Sequence, residues 1–265
     1  MTQLTKNYKI KILILNYNGV NFLKECLDSV CKIDYPNFSV TVIDNLSTDN
    51  SINFIKSNYP DVELVLTDKN RLFAGGYNYY FNRSQDNCYY LILNNDTIVS
   101  KTILNQFIIG LNKYGKRAIY GPTITFSNEK KLIWYSGAEV DLKKGIVRHL
   151  NIRKNLQDLN LRDCRTGYIT GCCMFVHSSI VSDLNGFDES FKMYMEDVDF
   201  CLRARFMGIK SIYLASPRLF HHVSGTVNLK VLKVAISFFK LAYKHIGYLC
   251  FLIFPLFVIR KITGK

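Results

Sequence analysis

The chain has 265 residues, 34 Lys+Arg against 21 Asp+Glu, and a formal charge of +13. With 48% hydrophobic and 21% charged residues it is neither disordered nor fibrous, and it is long enough for one large α/β domain or two small ones. Five prolines, no low-complexity run and no internal repeat argue against linkers, solenoids and propellers. The opening MTQLTKNYKIKILILNYNG has a short apolar stretch and no small-residue cleavage site, so no signal peptide is expected. The eight cysteines show no CxxC spacing and read as reduced core residues rather than a zinc site. Charge is concentrated at one end. No acid follows Asp199, while eleven Lys/Arg lie between Arg203 and Lys265, so the tail carries +11 and the body +2. That end seeks an anionic surface.

The first 120 residues alternate strand and helix patterns. Residues 9–15 (KIKILIL) form a strand pattern, followed by a turn at 16–19 and a helix through Cys31. Residues 39–44 predict a second strand, and Ser47 or Thr48 is expected to cap the helix running to about Ser57. Strands at 62–66 and 89–93 enclose a helix over 74–83; a helix over 101–113 and a strand near 118–120 follow. This alternation implies right-handed βαβ units and a mostly parallel sheet, whose ligands bind beyond the carboxyl ends of the strands. Those ends, at 16–18, 44–45, 69–70 and 94–96, are all polar. Beyond them, 123–165 read as a meander over the sheet, 170–177 as a buried strand, 196–207 as a helix and 211–215 as a short strand. Residues 228–259 form a mostly apolar helix, interrupted at Pro255.

Neither GxGxxG nor GxxxxGK[ST] occurs, so dinucleotide and P-loop chemistry lack their main support. Asp44, flanked by Asn16 and Asn45, either accepts hydrogen bonds from a base or ribose or makes a turn. Asn94-Asn95-Asp96 follows the apolar strand YYLIL. Its carboxylate either holds a divalent cation on a diphosphate or closes an Asx turn. Glu196, Asp197 and Asp199 crowd a helix start. They either compensate the helix dipole or raise one another's pKa toward that of a general base. His221-His222 is either packed structure or a ligand for an Mn²⁺-class ion.

Together these segments resemble family 2 glycosyltransferases of the GT-A fold, most closely the rhamnosyltransferase-like branch. ILNYNGVNFLKECLDSV, VIDNLSTDNSINFI, NRLFAGGYN, YLILNNDTIV, IWYSGA, TGCCMFVHSSI, GFDESFKMYMEDVDFCLRARFMG and FHHVSGT occur in the family's order from about residue 10 to 226. The resemblance implies that Asn16, Tyr17, Asn18, Asp44 and Asn45 contact the nucleotide, and that 70–78, with Asn70, Gly76 and Asn78, lies over nucleotide and donor sugar. It implies that Asp96, after Asn94 and Asn95, holds Mg²⁺ or Mn²⁺ with His221 as a second contact. Gly171, Cys172 and Cys173 would line the donor sugar, and of the Glu196-Asp197 pair Asp197 would be the base. Three positions depart from the pattern: Asn94 for the first acid, Leu72 for a glycine and Phe220 for a tyrosine.

The expected protein is an inverting glycosyltransferase moving a sugar from a UDP- or dTDP-sugar to an acceptor hydroxyl, the acceptor being a glycan on a lipid carrier in cell-surface assembly. Expected domains are 1–226, with a nucleotide half to about 120 and an acceptor half beyond, and a basic apolar tail over 227–265. Lys230, Lys233, Lys240 and Lys244, spaced by 3, 7 and 4, fall on one helical stripe. The tail is therefore expected to hold the enzyme on an anionic membrane at its cytoplasmic face. Two other classes fit less well. A nucleotidyltransferase needs a Gly-rich triphosphate loop, which is missing. A nucleic-acid-binding protein would interleave its charge with aromatics or a reading helix rather than an apolar tail, so no nucleic-acid partner is expected.

Overall fold

In the computed structural model, residues 7–223 and 227–263 are described. The expected domain boundary at 226/227 and the first six residues of the opening segment lie partly or wholly outside them. β1 (Ile10–Asn16) is apolar on both faces, as a parallel strand covered by helices must be. α1 (Val20–Cys31) buries Leu23, Cys26, Leu27 and Val30, one stripe at helical spacing. Then come β2 (Phe38–Asp44), α2 (Ser51–Asn58), β3 (Glu63–Leu66), α3 (Leu72–Phe81), β4 (Tyr89–Asn94), β5 (Thr97–Val99), α4 (Ile103–Tyr114) and β6 (Ala118–Phe126). The second half holds β7 (Ile133–Tyr135), β8 (Ala138–Asp141), β9 (Ile146–His149), β10 (Cys164–Arg165), β11 (Cys173–His177), α5 (Ser178–Asp183), α6 (Glu196–Phe206) and β12 (Lys210–His221). α7 (Val227–Ile246) and α8 (Cys250–Thr263) end the described chain.

The central sheet runs β10-β12-β6-β11-β4-β1-β2-β3, with β5 on β12 and β7 on β6. β3, β2, β1 and β4 are parallel, and β11 enters antiparallel between β4 and β6. Register sets Asn16 beside Asp44 and Leu15 beside Asn94, so three polar strand ends share one edge. This is the mixed α/β sheet with a parallel core that the alternating pattern implied. It continues without a break past residue 120, because β6 and β12 pair from Ala118–Lys210 to Phe126–His221.

Four local expectations are corrected. α2 starts at Ser51 after Asn50, and Ser47 and Thr48 do not cap it: their backbone N–H groups donate to Asp44 and Asn18. The strands expected near 118–120 and 211–215 grow to nine and 12 residues through mutual pairing that no local window reveals. Pro255 lies inside α8 without ending it. The chain reverses instead at Gly247 (φ 59°), where a left-handed backbone suits glycine, and Phe238 of α7 stacks on Phe257 of α8 at 3.7 Å.

The fourth correction concerns the lysine stripe. Lys244 pairs with Asp188 at 2.6 Å and Asp199 at 2.8 Å, and Lys240 donates to the Ser190 carbonyl. His245 adds a contact to Asp199 at 2.8 Å, and Ser237 donates to the Met193 carbonyl at 2.7 Å. Half of the expected membrane-facing stripe is thus spent bracing α7 against 188–199, while the side chain of Lys230 lies outside the described residues. The outward face of the hairpin is apolar: Ile236, Tyr248 and Leu252 are 61%, 78% and 73% exposed. Residues 232–261 are long and apolar enough to cross a membrane by length and composition, yet here they fold back on themselves.

Candidate active site

The strand-end asparagines and Asp44 form one hydrogen-bonded cluster. Asn16, fully buried, donates to Asp44 Oδ2 at 2.8 Å and accepts from Asn95 Nδ2 at 2.6 Å. Asp44 also accepts from the Ser47 backbone and hydroxyl at 2.7 and 2.8 Å, so both of its oxygens are engaged within the turn. Tyr17 and Asn18 are exposed beside this turn, and Asn18 adopts φ 50°, a conformation asparagine tolerates. Asn45 is buried and donates to the Leu72 carbonyl at 2.9 Å, tying β2 to α3. Asn70 is exposed and accepts from Leu72 N. Leu72 itself has φ 58°, which accounts for the glycine usual at this position.

Two residues of the 70–78 segment act through packing. A side chain at Gly76 would collide with Leu15 and crowd Asn45, so its absence lets α3 lie close on the strand ends. Asn78 points away from the strand ends into the second half, donating to the Phe187 carbonyl at 2.8 Å and Glu189 at 3.0 Å.

Pairing of Thr97 with His221 in β5 and β12 brings Asp96 against His221, with 3.2 Å between Asp96 Oδ1 and His221 Nε2. Asp96 Oδ1 and His221 Nδ1 are buried without a hydrogen bond. A carboxylate and an imidazole so placed, with orphaned polar atoms, fit a hard divalent cation of the Mg²⁺/Mn²⁺ class. Among the described residues no three His, Cys, Asp or Glu side chains group together as a metal site, so phosphate and water oxygens would complete such a shell. His222 is structural, with its two ring nitrogens 2.8 Å from Ser127 Oγ and 2.8 Å from Glu25.

The turn 170–172 joins this centre to the second pair of carboxylates. Cys172 O accepts from Asn94 N at 3.0 Å, and Gly171 N donates to Asp197 Oδ2 at 2.9 Å. Val198 N donates to Asp197 Oδ1 at 2.8 Å, fixing the carboxylate at the start of α6. Burial raises the Asp197 pKa against these donors. Glu196 is pushed up to about 8, first by burial and then by the charge of Asp197, and its Oε2 has no partner. Two left-handed residues, Tyr194 and Met195 (both φ 70°), precede the pair, an arrangement that costs about 1–2 kcal/mol per residue and persists only where packing holds it. Asp199, the third acid, is spent elsewhere. It is fully buried against Arg203, Lys244 and His245.

Asn94, Asp96, Gly171, Cys172, Glu196, Asp197 and His221 all line one cavity of about 1090 Å³. Sequence reasoning missed part of its wall. Trp134 stands edge-on between His149 and His221, with ring centroids 4.6 and 4.5 Å away. Its motif IWYSGA was visible but carried no role, and His149, whose pKa burial lowers to about 4, has no local signal at all.

A model of glycosyl transferase family 2 matches residues 11–184, about two-thirds of the sequence. The chain belongs to that family. This family 2 chain is 26% identical over 218 residues to an uncharacterized glycosyltransferase of Rickettsia typhi, covering 80% of its own length and 63% of the relative. It is 24% identical over 225 residues to the rhamnosyltransferase WbbL of Escherichia coli, covering 80% and 83%. Among solved structures, GalNAc-T7 with UDP, GalNAc and Mn²⁺ superposes with a TM-score of 0.69 at 13% identity, over 92% of this chain and 50% of that one. That likeness is one of fold, and the fold is GT-A.

Proposed function

We propose that the chain transfers a sugar from a UDP- or dTDP-sugar to an acceptor hydroxyl with inversion at the anomeric carbon. The observation that carries this reading is the single cavity onto which both Asp96–His221 and Asp197 open, joined by the turn 170–172. Asn16, Tyr17, Asn18, Asp44 and Asn45 shape the nucleotide end, with Asn70, Gly76 and Asn78 positioning α3 beside it. Asp96 and His221 would hold Mg²⁺ or Mn²⁺, which neutralises charge on the departing diphosphate. Gly171, Cys172 and Asn94 line the space beside the sugar. Asp197, fixed by two backbone donors, takes the acceptor proton as the hydroxyl oxygen attacks opposite the leaving group. Burial raises the pKa of both carboxyls, Glu196 to about 8, and of the two Asp197 is the one that two backbone donors fix in place.

The acceptor in this reading is a lipid-linked glycan in surface-polysaccharide assembly; what supports it is a Mycobacterium tuberculosis relative, 41% identical over 56 residues (21% of this chain and 18% of the relative), whose name is N-acetylglucosaminyl-diphospho-decaprenol L-rhamnosyltransferase. The enzyme would work at the cytoplasmic face of the membrane, resting on the apolar outer face of the α7–α8 hairpin rather than on its lysines. The test is a donor panel: UDP-, dTDP- and GDP-sugars are incubated with the protein, Mn²⁺ and membrane lipid extract, and nucleotide release is measured. Release from one donor is expected; release from none would remove the reading.

A further inference from the structure

His149 ends β9 and lines the cavity that holds Asp96, His221 and Asp197. β9 pairs with β8 in a two-stranded sheet of their own, separate from the central sheet. The imidazole is held by three aromatic rings: edge-on to Trp134 at 4.6 Å and to Tyr135 at 5.0 Å, and tilted against Tyr168 at 5.8 Å. Its Nδ1 lies 3.1 Å from the Trp134 carbonyl oxygen. A carbonyl only accepts, so Nδ1 carries the hydrogen, and in the neutral ring Nε2 is a bare lone pair. Burial, working against that hydrogen bond and helped by the charges of Lys261 and His221, lowers the pKa to about 4, so the ring is neutral at neutral pH. Among the described residues nothing donates to Nε2.

A histidine kept for packing is finished as His222 is, with a partner 2.8 Å from each ring nitrogen. His149 is fixed in orientation yet left one acceptor short. Its surroundings say what would complete it. On one flank Trp134 separates it from His221, which lies 4.5 Å from the indole. On the other flank stands Tyr168, whose carbonyl accepts from the Tyr135 hydroxyl at 2.7 Å and whose pKa is raised first by burial and then by the charge of Asp197. Three residues along, Gly171 donates to Asp197. The lone pair therefore belongs to the part of the cavity between the Asp96–His221 pair and Asp197, among aromatic rings. A hydroxyl on a sugar ring suits such a place, since it brings a hydrogen-bond donor together with apolar C–H faces.

We propose that His149 sets acceptor specificity: its Nε2 accepts a hydrogen bond from a second hydroxyl of the acceptor sugar while Asp197 takes the proton of the attacking one, so the acceptor must present two neighbouring hydroxyls on one ring. The inference rests on the transferase reading and adds what its acceptor has to offer. The test is long-range ¹H–¹⁵N NMR of the histidine rings in the full chain, saturated with Mg²⁺ and whichever of UDP, dTDP and GDP binds, the His149 signals being assigned by their loss in His149→Gln. His149 should show a protonated Nδ1 and a bare Nε2. Methyl glycosides of glucose, galactose, mannose and N-acetylglucosamine are then added to about 50 mM, and at least one should shift Nε2, with cyclohexanol giving no such shift. Trp134, the only tryptophan, lines the cavity and follows the affinity of that glycoside by fluorescence. His149→Phe, which keeps a ring and loses the lone pair, should weaken it by about tenfold and leave nucleotide affinity within about twofold. His149→Gln, whose amide oxygen reaches the Nε2 position, should bring it back to within about threefold of wild type. A protonated Nε2, an equal shift with cyclohexanol, or unchanged glycoside affinity in His149→Phe would overturn the proposal. So would an equal shift from a nucleotide-sugar alone, which would make the contact one to the donor. Nucleotide binding with no glycoside shift sinks the acceptor contact alone; a glycoside shift at His149 with no nucleotide bound sinks the transferase reading and keeps the sugar contact.

Discussion

Asp199→Asn tests whether the tail helix is part of the catalytic body. The carboxylate is fully buried and meets Arg203 at 2.7 Å and Lys244 and His245 at 2.8 Å each. Breaking a buried ion pair costs about 3–5 kcal/mol. Arg203 and Lys244 keep 21% and 33% side-chain exposure, so water recovers part of that, leaving a loss of about 2–4 kcal/mol. For a chain of this size, a loss of about 3 kcal/mol lowers Tm by roughly 6–12 °C. Burial alone would raise the Asp199 pKa, but hydrogen bonds from His245, Lys244 and Arg203 hold it below the usual carboxylate value. Its stabilisation is therefore full above that value and lost as pH falls through the depressed one. The Tm gap between wild type and variant should be widest near neutrality and close below about pH 4. Because Ser237 and Lys240 of α7 hold the turn before Glu196, the variant should also lose turnover, by about tenfold, with the donor KM little changed. Thermal unfolding across pH and steady-state kinetics check both. A stability loss under about 1 kcal/mol, or a gap independent of pH, would refute the bracing role.

Asp96→Ala should weaken Mn²⁺-dependent nucleotide affinity and turnover more than His221→Ala, since a neutral ligand contributes less against a dianionic diphosphate; equal effects, or full activity in excess chelator, would contradict the metal assignment. Glu196, shifted from 4.5 to about 8, contributes stability that is present below 4.5 and lost as pH rises through about 8, so thermal stability should fall across that window and Glu196→Gln should flatten the profile. An unchanged slope in the variant would place the titration elsewhere. Leu252→Asp, on the exposed face of the hairpin, should abolish flotation with phospholipid vesicles while leaving the unfolding free energy within about 1 kcal/mol of wild type; retained flotation would remove the apolar membrane contact.

The alternating elements of the first half were legible because each strand and helix carries its own period, as in KIKILIL and the stripe Leu23–Cys26–Leu27–Val30. Of the polar strand ends, Asn94 and Asp96 line the cavity, while Asn16, Asp44 and Asn45 lie in the hydrogen-bonded edge beside it. What the sequence hid is long-range. His221 is aligned with Asp96 through β5–β12 pairing, across more than a hundred residues. Whether Asp199 joins the reacting pair or anchors the tail depends on His245 and on Lys244, the latter assigned by helical spacing alone to a solvent or lipid face. Trp134 and His149 gain their place only when β7 pairs with β6 and the β8–β9 hairpin sets His149 against Trp134. The position of Leu72 carried a sequence signal whose cause, a backbone at φ 58°, needed coordinates.

The central claim is transfer with inversion, with Asp197 as the base. It is tested most directly by ¹H NMR of the product formed from the accepted donor, comparing wild type with Asp197→Asn. The anomeric coupling should show configuration opposite to that of the donor. Asp197→Asn should lower turnover by about a thousandfold while nucleotide affinity stays within about twofold, because a positioned base contributes roughly 10²–10⁴. Its amide opposes one of the two backbone donors at Gly171 and Val198, so its Tm is measured alongside. A product that retains the donor configuration, or a folded Asp197→Asn enzyme within about tenfold of wild type (roughly 1.4 kcal/mol on the barrier), would contradict the account.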